Sequence, residues 1–73
     1  MMLLDTSGLL ALLDAREPLH QKACDEYQRA SVRVTHGHVL AELVAVGSAR
    51  GVSPGKVLHF VMSLLANPDI DTI

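Results

Sequence analysis

The beginning of the chain constrains its fold most. The apolar run Met1–Leu4 ends in Asp5, followed by Thr6, Ser7, Gly8 and a leucine-rich segment, with no other charged residue before position 14. A carboxylate that ends a buried segment is costly unless a positive partner meets it. Two partners fit this position, the start of the following helix and a metal ion.

Size and composition limit the classes of protein. The 73 residues are enough for at most one domain, and 49% of them are hydrophobic with few aromatics, which favours packed helices and strands over disorder. The net charge of −2 does not indicate a nucleic-acid surface by charge alone. A single cysteine, Cys24, and no signal peptide lead us to expect a cytoplasmic protein.

Hydrophobic periodicity predicts three strands that alternate with pairs of helices. The predicted strands are Met2–Leu4, Val32–Thr35 and Asp69–Ile73. The predicted helices are the leucine-rich segment after Ser7, His20–Arg29, Val39–Ala49 and a segment that begins at Ser53-Pro54 and stops at Asn67-Pro68. Strands separated by helices imply a parallel sheet with right-handed crossovers, so the order β-α-α-β-α-α-β predicts an α/β fold.

Four local signals mark helix ends. Thr6 or Ser7 is predicted to cap the first helix, and Pro18 can open the second. Gly51 lies where a glycine closes the third helix, and Ser53 precedes the fourth as its cap.

Asp5 is the first candidate functional residue. It follows the first strand, and open parallel sheets bind ligands at the carboxyl ends of their strands. The alternative is a helix cap, since aspartate satisfies free N–H groups at a helix start. Thr6 and Ser7 offer such caps one position later, so both interpretations stay open for Asp5.

Glu42 is the second candidate. It is the only formally charged residue from Gly37 to Ala49, in a helix that is apolar nearly all round and is therefore predicted to be buried on more than one side. A glutamate there either reaches an edge or needs a partner, since a carboxylate left unpaired in such a site is costly or becomes neutral. The partner is either a metal ion or an arginine, with Arg33 and Arg50 as candidates.

Asp5 and Glu42 are more informative together. Both follow strands of a parallel sheet, so both can reach one crevice, and two carboxylates there describe a site for Mg²⁺ or Mn²⁺. Such metals activate water and hold phosphates in metal-dependent nucleases. A zinc site at His36 and His38 is disfavoured because no third ligand is evident.

Two segments carry a family resemblance. Met2–Asp14 resembles the start of a PIN-domain protein of the VapC toxin type, and Thr35–Leu43 is similar to the second motif of that family. The spacing of the two and the helix at Ser53-Pro54 also match. The resemblance implies a partial PIN-like three-layer fold, with a short parallel sheet flanked by helices.

The resemblance also implies a function and a site. The function is that of a Mg²⁺- or Mn²⁺-dependent endoribonuclease, the toxin half of a toxin–antitoxin pair, with RNA as substrate and a VapB-like antitoxin as partner. Asp5 and Glu42 match the first two metal-binding, catalytic acids. Thr6 and Ser7 match the supporting hydroxyl residues beside the first acid, which orient it or a metal-bound water.

The remaining acids of the family belong to a C-terminal half that residues 1–73 do not include, and Asp69 and Asp71 come too early to replace them. We therefore expect residues 1–73 to be the N-terminal half of a PIN-like domain, with little nuclease activity alone. Exposed sheet edges and apolar helix faces predict a homo-oligomer. Two other functions stay open, a non-catalytic module that binds an antitoxin or itself through apolar helices, and a phosphoacceptor domain that uses Asp5.

Overall fold

The structure, a computed structural model, describes residues 1–73 and confirms the α/β class and the element order. The strands are β1 (Met2–Leu3), β2 (Arg33–Thr35) and β3 (Ile70–Thr72). The helices are α1 (Thr6–Leu13), α2 (His20–Arg29), α3 (Gly37–Ala49) and α4 (Pro54–Ala66). The strands are slightly shorter than predicted and α3 begins at Gly37 instead of Val39, because a hydrophobic pattern locates an element better than its ends.

The three strands form one parallel sheet in the order β1-β2-β3, with β2 in the centre. Right-handed crossovers between strands placed in sequence order put all four helices on the same face. Leu4 and Ile70 are buried under this helical layer. Leu3 and Asp71 point to the opposite face, where both are exposed. In the three-layer fold that the resemblance implies, this open face is the position of the third layer.

The hydrophobic core lies between the sheet and the helices. Its most deeply buried side chains are Leu4, Leu9, Leu43 and Val57, one from the position directly after β1 and one each from α1, α3 and α4. Gly47 lets α3 approach α4, since a Cβ at this position would lie 2.8 Å from Cγ2 of Val57. The core therefore fixes α3, the helix that carries Glu42, against both of its neighbours.

Helix ends follow the predicted signals at two of the four positions. Gly51 has a φ of 81° after α3, and the N–H of Val52 donates to the carbonyl of Gly47 at 2.9 Å, which closes the helix as predicted. Ser53 caps α4 by accepting from the N–H of Lys56 at 3.3 Å, also as predicted.

The other two signals were misread. Pro18 does not open α2, which begins at His20 after an N-cap residue, Leu19, that makes no side-chain cap bond. Residues 15–19 instead form a turn between α1 and α2, since a helix start needs more than a residue with a fixed φ. Thr6 and Ser7 do not cap α1, as the geometry of the candidate site shows.

None of the four helices is both long and apolar enough to cross a membrane. α4 nevertheless exposes an apolar row, which consists of Leu58, Met62 and Leu65. These residues recur at helical spacing on the side of α4 that faces away from the core.

Candidate functional site

Asp5 caps α1. Its backbone is extended, and its Oδ1 accepts from the N–H of Gly8 at 2.8 Å and from Oγ of Ser7 at 3.4 Å. The prediction that Thr6 or Ser7 caps the helix is wrong, because helical geometry already begins at Thr6. Gly8 makes room for the cap, since a Cβ there would lie 2.9 Å from Oδ1. The second oxygen, Oδ2, accepts no hydrogen bond, and the residue is exposed.

Glu42 lies on the outer surface of α3, where it is exposed. Its Oε1 accepts a hydrogen bond from Oγ1 of Thr6 at 3.0 Å. Glu42 therefore reaches an edge, which was one of the two predicted alternatives. The predicted burial of α3 on more than one side is wrong, because the helices form a single layer and the small residues of α3 that look apolar in the sequence face outward. The alternative of a salt bridge with Arg33 or Arg50 is not realised, since neither arginine bonds to Glu42.

The structure thus brings four predicted site residues to one end of the sheet, which we call the acid edge: Asp5, Thr6, Ser7 and Glu42. Two hydrogen bonds connect them in pairs, Ser7 with Asp5 and Thr6 with Glu42. The two carboxylates do not bond to each other, and neither forms a salt bridge with a cation. No group of three or more His, Cys, Asp or Glu side chains is arranged to hold a metal ion.

A cavity of about 220 Å³ adjoins the acid edge between β1, α1 and α2. Asp5 and Ser7 line it from α1 and its cap, and Lys22 and Glu26 line it from α2. A second cavity, of about 250 Å³, lies on the open face of the sheet and also reaches Asp5. Asp5 is therefore accessible from two sides.

His36 caps α3, a role that was not predicted from the sequence. Its Nδ1 accepts from the N–H of His38 at 3.0 Å, which requires the ring proton to sit on Nε2. The two rings lie edge to face with centroids 6.1 Å apart. His36 also lines the second cavity beside Asp5. The signal was a polar residue immediately before the glycine that starts α3.

A second charged group, the arginine clasp, was also missed, and it consists of Asp14, Arg16, Glu17 and Arg50. Asp14 accepts from Nε and Nη2 of Arg16 at 2.9 Å each, and the hydrogen bonds from Arg16 lower the pKa of Asp14 to about 2. The same contact raises the pKa of Arg16. Arg50 pairs with Glu17 at 2.9 Å, and Nη2 of Arg16 donates to the Arg50 carbonyl at 3.2 Å. The clasp joins the α1–α2 turn to the end of α3.

Comparison with known proteins identifies the family. The family model of the PIN domain matches residues 2–71, nearly the whole chain, and the chain therefore belongs to the PIN domain family. No curated protein and no solved structure matches the chain. Membership indicates a nuclease-type function, and PIN domains generally use a divalent metal, bind RNA and often bind antitoxin partners.

The acid edge offers ligands of the type that such a metal requires. Its donors are all oxygens, and Mg²⁺ and Mn²⁺ prefer carboxylate and hydroxyl oxygens over nitrogen and sulfur. Oδ2 of Asp5 and Oε2 of Glu42 accept no hydrogen bond, while the other oxygen of each carboxylate is held in place. The residues present therefore fit a hard divalent cation.

Proposed function

We propose that this chain forms the acid edge of a metal-dependent endoribonuclease of the VapC toxin type. Asp5 and Glu42 are the metal-binding and catalytic acids, and Thr6 and Ser7 support them. The observation that carries the proposal is the hydrogen bond from Thr6 to Glu42, 3.0 Å long, because it joins the helix after β2 to the residue that follows Asp5.

Ser7 and Thr6 each hold one carboxylate of the acid edge in place. Ser7 and the N–H of Gly8 hold Oδ1 of Asp5, which leaves Oδ2 directed to a ligand. Thr6 does the same for Glu42 through Oε1. When bound, Mg²⁺ or Mn²⁺ would supply the activation of water and the stabilisation of charge on the phosphate.

We also propose that residues 1–73 are the N-terminal half of the domain, with little nuclease activity alone. The acid edge supplies only two carboxylates, so it binds a metal weakly. The open face of the sheet, where Leu3 is 67% and Ile73 is 77% exposed, is an apolar surface that further elements of the domain would cover.

Metal-dependent stability tests the two acids. We expect Mn²⁺ to raise the thermal midpoint of the chain, because a ligand that binds only the folded state stabilises it by about 1.4 kcal/mol at ten times Kd. For a domain of this size, that free energy corresponds to a rise of roughly 5–10 °C. The measurement is thermal unfolding, followed by circular dichroism, across a Mn²⁺ titration.

The variants Asp5→Asn and Glu42→Gln should each lose the Mn²⁺ effect while the chain still folds. Asparagine keeps the helix cap and glutamine keeps the acceptor for Thr6, so both substitutions remove charge with little other change. The matched control is Asp69→Asn, an exposed acid outside the acid edge. An Mn²⁺ effect that persists in both site variants would refute the metal site.

A nuclease assay tests the half-domain proposal separately. We expect residues 1–73 to show little Mg²⁺-dependent cleavage of RNA. Clear cleavage that is abolished by Asp5→Ala would show that the acid edge is sufficient alone, which contradicts the half-domain proposal but supports the nuclease itself.

A second candidate function is a non-catalytic interaction module. A cavity of about 280 Å³ lies between α1, α2 and α4, with an apolar lining that includes Leu12, Tyr27 and Phe60. The exposed apolar row on α4 is a second unpartnered surface. In this alternative, these surfaces bind an antitoxin or another copy of the chain, and Asp5 and Glu42 are structural.

Light scattering tests self-association. We expect a homo-oligomer for the wild-type chain and a shift toward monomer for Met62→Lys, because a charge in the apolar row opposes its burial. The control is Ala45→Lys, an exposed position on α3. A wild-type chain that stays monomeric at high concentration would argue against association through α4.

A further inference from the structure

We propose that Lys22 binds the phosphate backbone of single-stranded RNA beside the acid edge. This inference rests on the proposed nuclease function, and it names a contact that holds the substrate. Lys22 is not proposed as a ligand of the metal ion. Its ammonium group would meet a phosphate next to the one that lies at Asp5 and Glu42.

Lys22 lies close to the acid edge. Lys22 and Asp5 line the same cavity, of about 220 Å³, with Ser7 also at its edge. The rest of the lining comes from β1, α1, the turn before α2 and α2 itself, and apart from Glu26 it consists of apolar residues and a glycine. An RNA strand that approaches the acid edge through this cavity therefore passes the ammonium group of Lys22.

Lys22 is also one of the few basic side chains that are free to bind a phosphate. The chain has six basic residues in total. Three of them are engaged within the protein, either in the arginine clasp or over the ring of Tyr27: Arg16, Arg50 and Arg33. The side chains of the other three form no salt bridge or hydrogen bond: Lys22, Arg29 and Lys56. Of these three, Lys22 lines the cavity of Asp5.

The negative charge of the acid edge also favours a phosphate contact from a basic residue nearby. The acid edge carries two carboxylates that pair with no lysine or arginine, so the protein itself repels an RNA phosphate there unless a basic side chain lies nearby. A lysine provides a compact ammonium on a flexible stem, which suits a phosphate contact. Glu26 lines the same cavity and does not pair with Lys22, so it opposes binding of the same anion.

Fluorescence anisotropy tests the proposal with a labelled oligouridine, an unstructured single strand, and the complete 73-residue chain. We expect Lys22→Gln to weaken binding by about three- to tenfold at 50 mM salt and to make the slope of log K against log salt shallower by about 0.7. Lys22→Arg should restore most of the affinity. A purely structural role of Lys22 would not change the salt slope.

Two variants serve as matched comparisons. Arg29→Gln makes the same charge change on the same helix but outside the cavity, and it should leave the salt slope unchanged. Glu26→Gln removes the opposing charge inside the cavity and should strengthen binding. Circular dichroism melting of each variant checks that it folds.

Equal slopes for the Lys22→Gln and Arg29→Gln variants would overturn the proposal, and so would a wild-type chain that does not bind the oligouridine at all. The Mn²⁺ titration separates this failure from failure of the proposed function. If stabilisation by Mn²⁺ still depends on Asp5 and Glu42, the metal site stands and the contact from Lys22 alone is wrong.

Discussion

The helix α1 has an aspartate at each end, and the two are used in opposite ways. Asp5 at its start is exposed, forms no salt bridge with a basic side chain and leaves one carboxylate oxygen without a hydrogen bond. Asp14 at its end is 7% exposed, and both of its oxygens accept hydrogen bonds from Arg16. The same residue type therefore leaves an accessible carboxylate oxygen at one end of α1 and forms a closed structural contact at the other.

The difference between Asp5 and Asp14 indicates which carboxylates are free to bind a ligand. Both oxygens of Asp14 accept hydrogen bonds, and its contact with Arg16 holds the α1–α2 turn against the end of α3. Asp5 has only backbone and hydroxyl donors on one oxygen. A metal ion would have to displace an arginine at Asp14, whereas it would meet an unoccupied oxygen at Asp5.

The largest effect on stability is expected for Arg16→Ala. The substitution leaves a buried carboxylate without its guanidinium and also removes the bond to the carbonyl of Arg50. The thermal midpoint should fall by several degrees, measured by circular dichroism. Arg29→Ala, an exposed arginine without a partner, is the control and should change it little. Equal midpoints for the two variants would show that the clasp is not structural.

The pH dependence of stability should also depend on Asp14. Because the pKa of Asp14 falls from its usual 3.8 to about 2 on folding, its contribution is present above about pH 4 and is lost as the pH falls toward 2. Urea unfolding across this range should show a steeper loss in the wild type than in Asp14→Asn. Parallel curves would mean that Asp14 does not titrate with folding.

Asp5→Ala should have a smaller effect without metal. It removes the cap on the N–H of Gly8, which costs about 1 kcal/mol, whereas Asp5→Asn keeps a capping oxygen and should cost much less. Urea midpoints of the two variants measure the difference. If Asp5→Asn were as destabilising as Asp5→Ala, the charge of Asp5 would be structural, as that of Asp14 is.

Thr6→Val should have the smallest effect on the fold. It removes one exposed hydrogen bond to Glu42, for which we expect a loss of about 0.5 kcal/mol. The stabilisation by Mn²⁺ should fall more noticeably, since Glu42 loses the contact that orients it. Thr6→Ser keeps the hydroxyl and is the control. An unchanged response to Mn²⁺ in Thr6→Val would remove Thr6 from the site.

The fold could be predicted from the sequence because its signals are local. Strand and helix segments alternate clearly, and Gly51 and Ser53 occupy positions that few other residues satisfy as well. The layer structure was harder to predict. Ala41 and Ala45 count as apolar in a helix pattern, but they face solvent because no element covers that side of α3.

The candidate site was predicted only in part. Asp5 and Glu42 could be selected because few charged residues surround them in the sequence, but their partners depend on tertiary contacts. The bond from Thr6 to Glu42 joins residues 36 positions apart, and Arg50 pairs with Glu17 across 33 positions. No short pattern in the sequence reports such distances.

Paramagnetic broadening by Mn²⁺ tests the central claim most directly, with backbone amide signals measured by NMR in the ¹⁵N-labelled chain. The amides of Thr6, Gly8 and Glu42 should broaden first and most strongly as Mn²⁺ is added, and those beside Asp14, about 12 Å away along α1, should broaden less, because the proposed ion lies between the two carboxylates of the acid edge. Broadening confined to one of the two acids, or greatest near Asp14, would contradict a metal site built from Asp5 and Glu42.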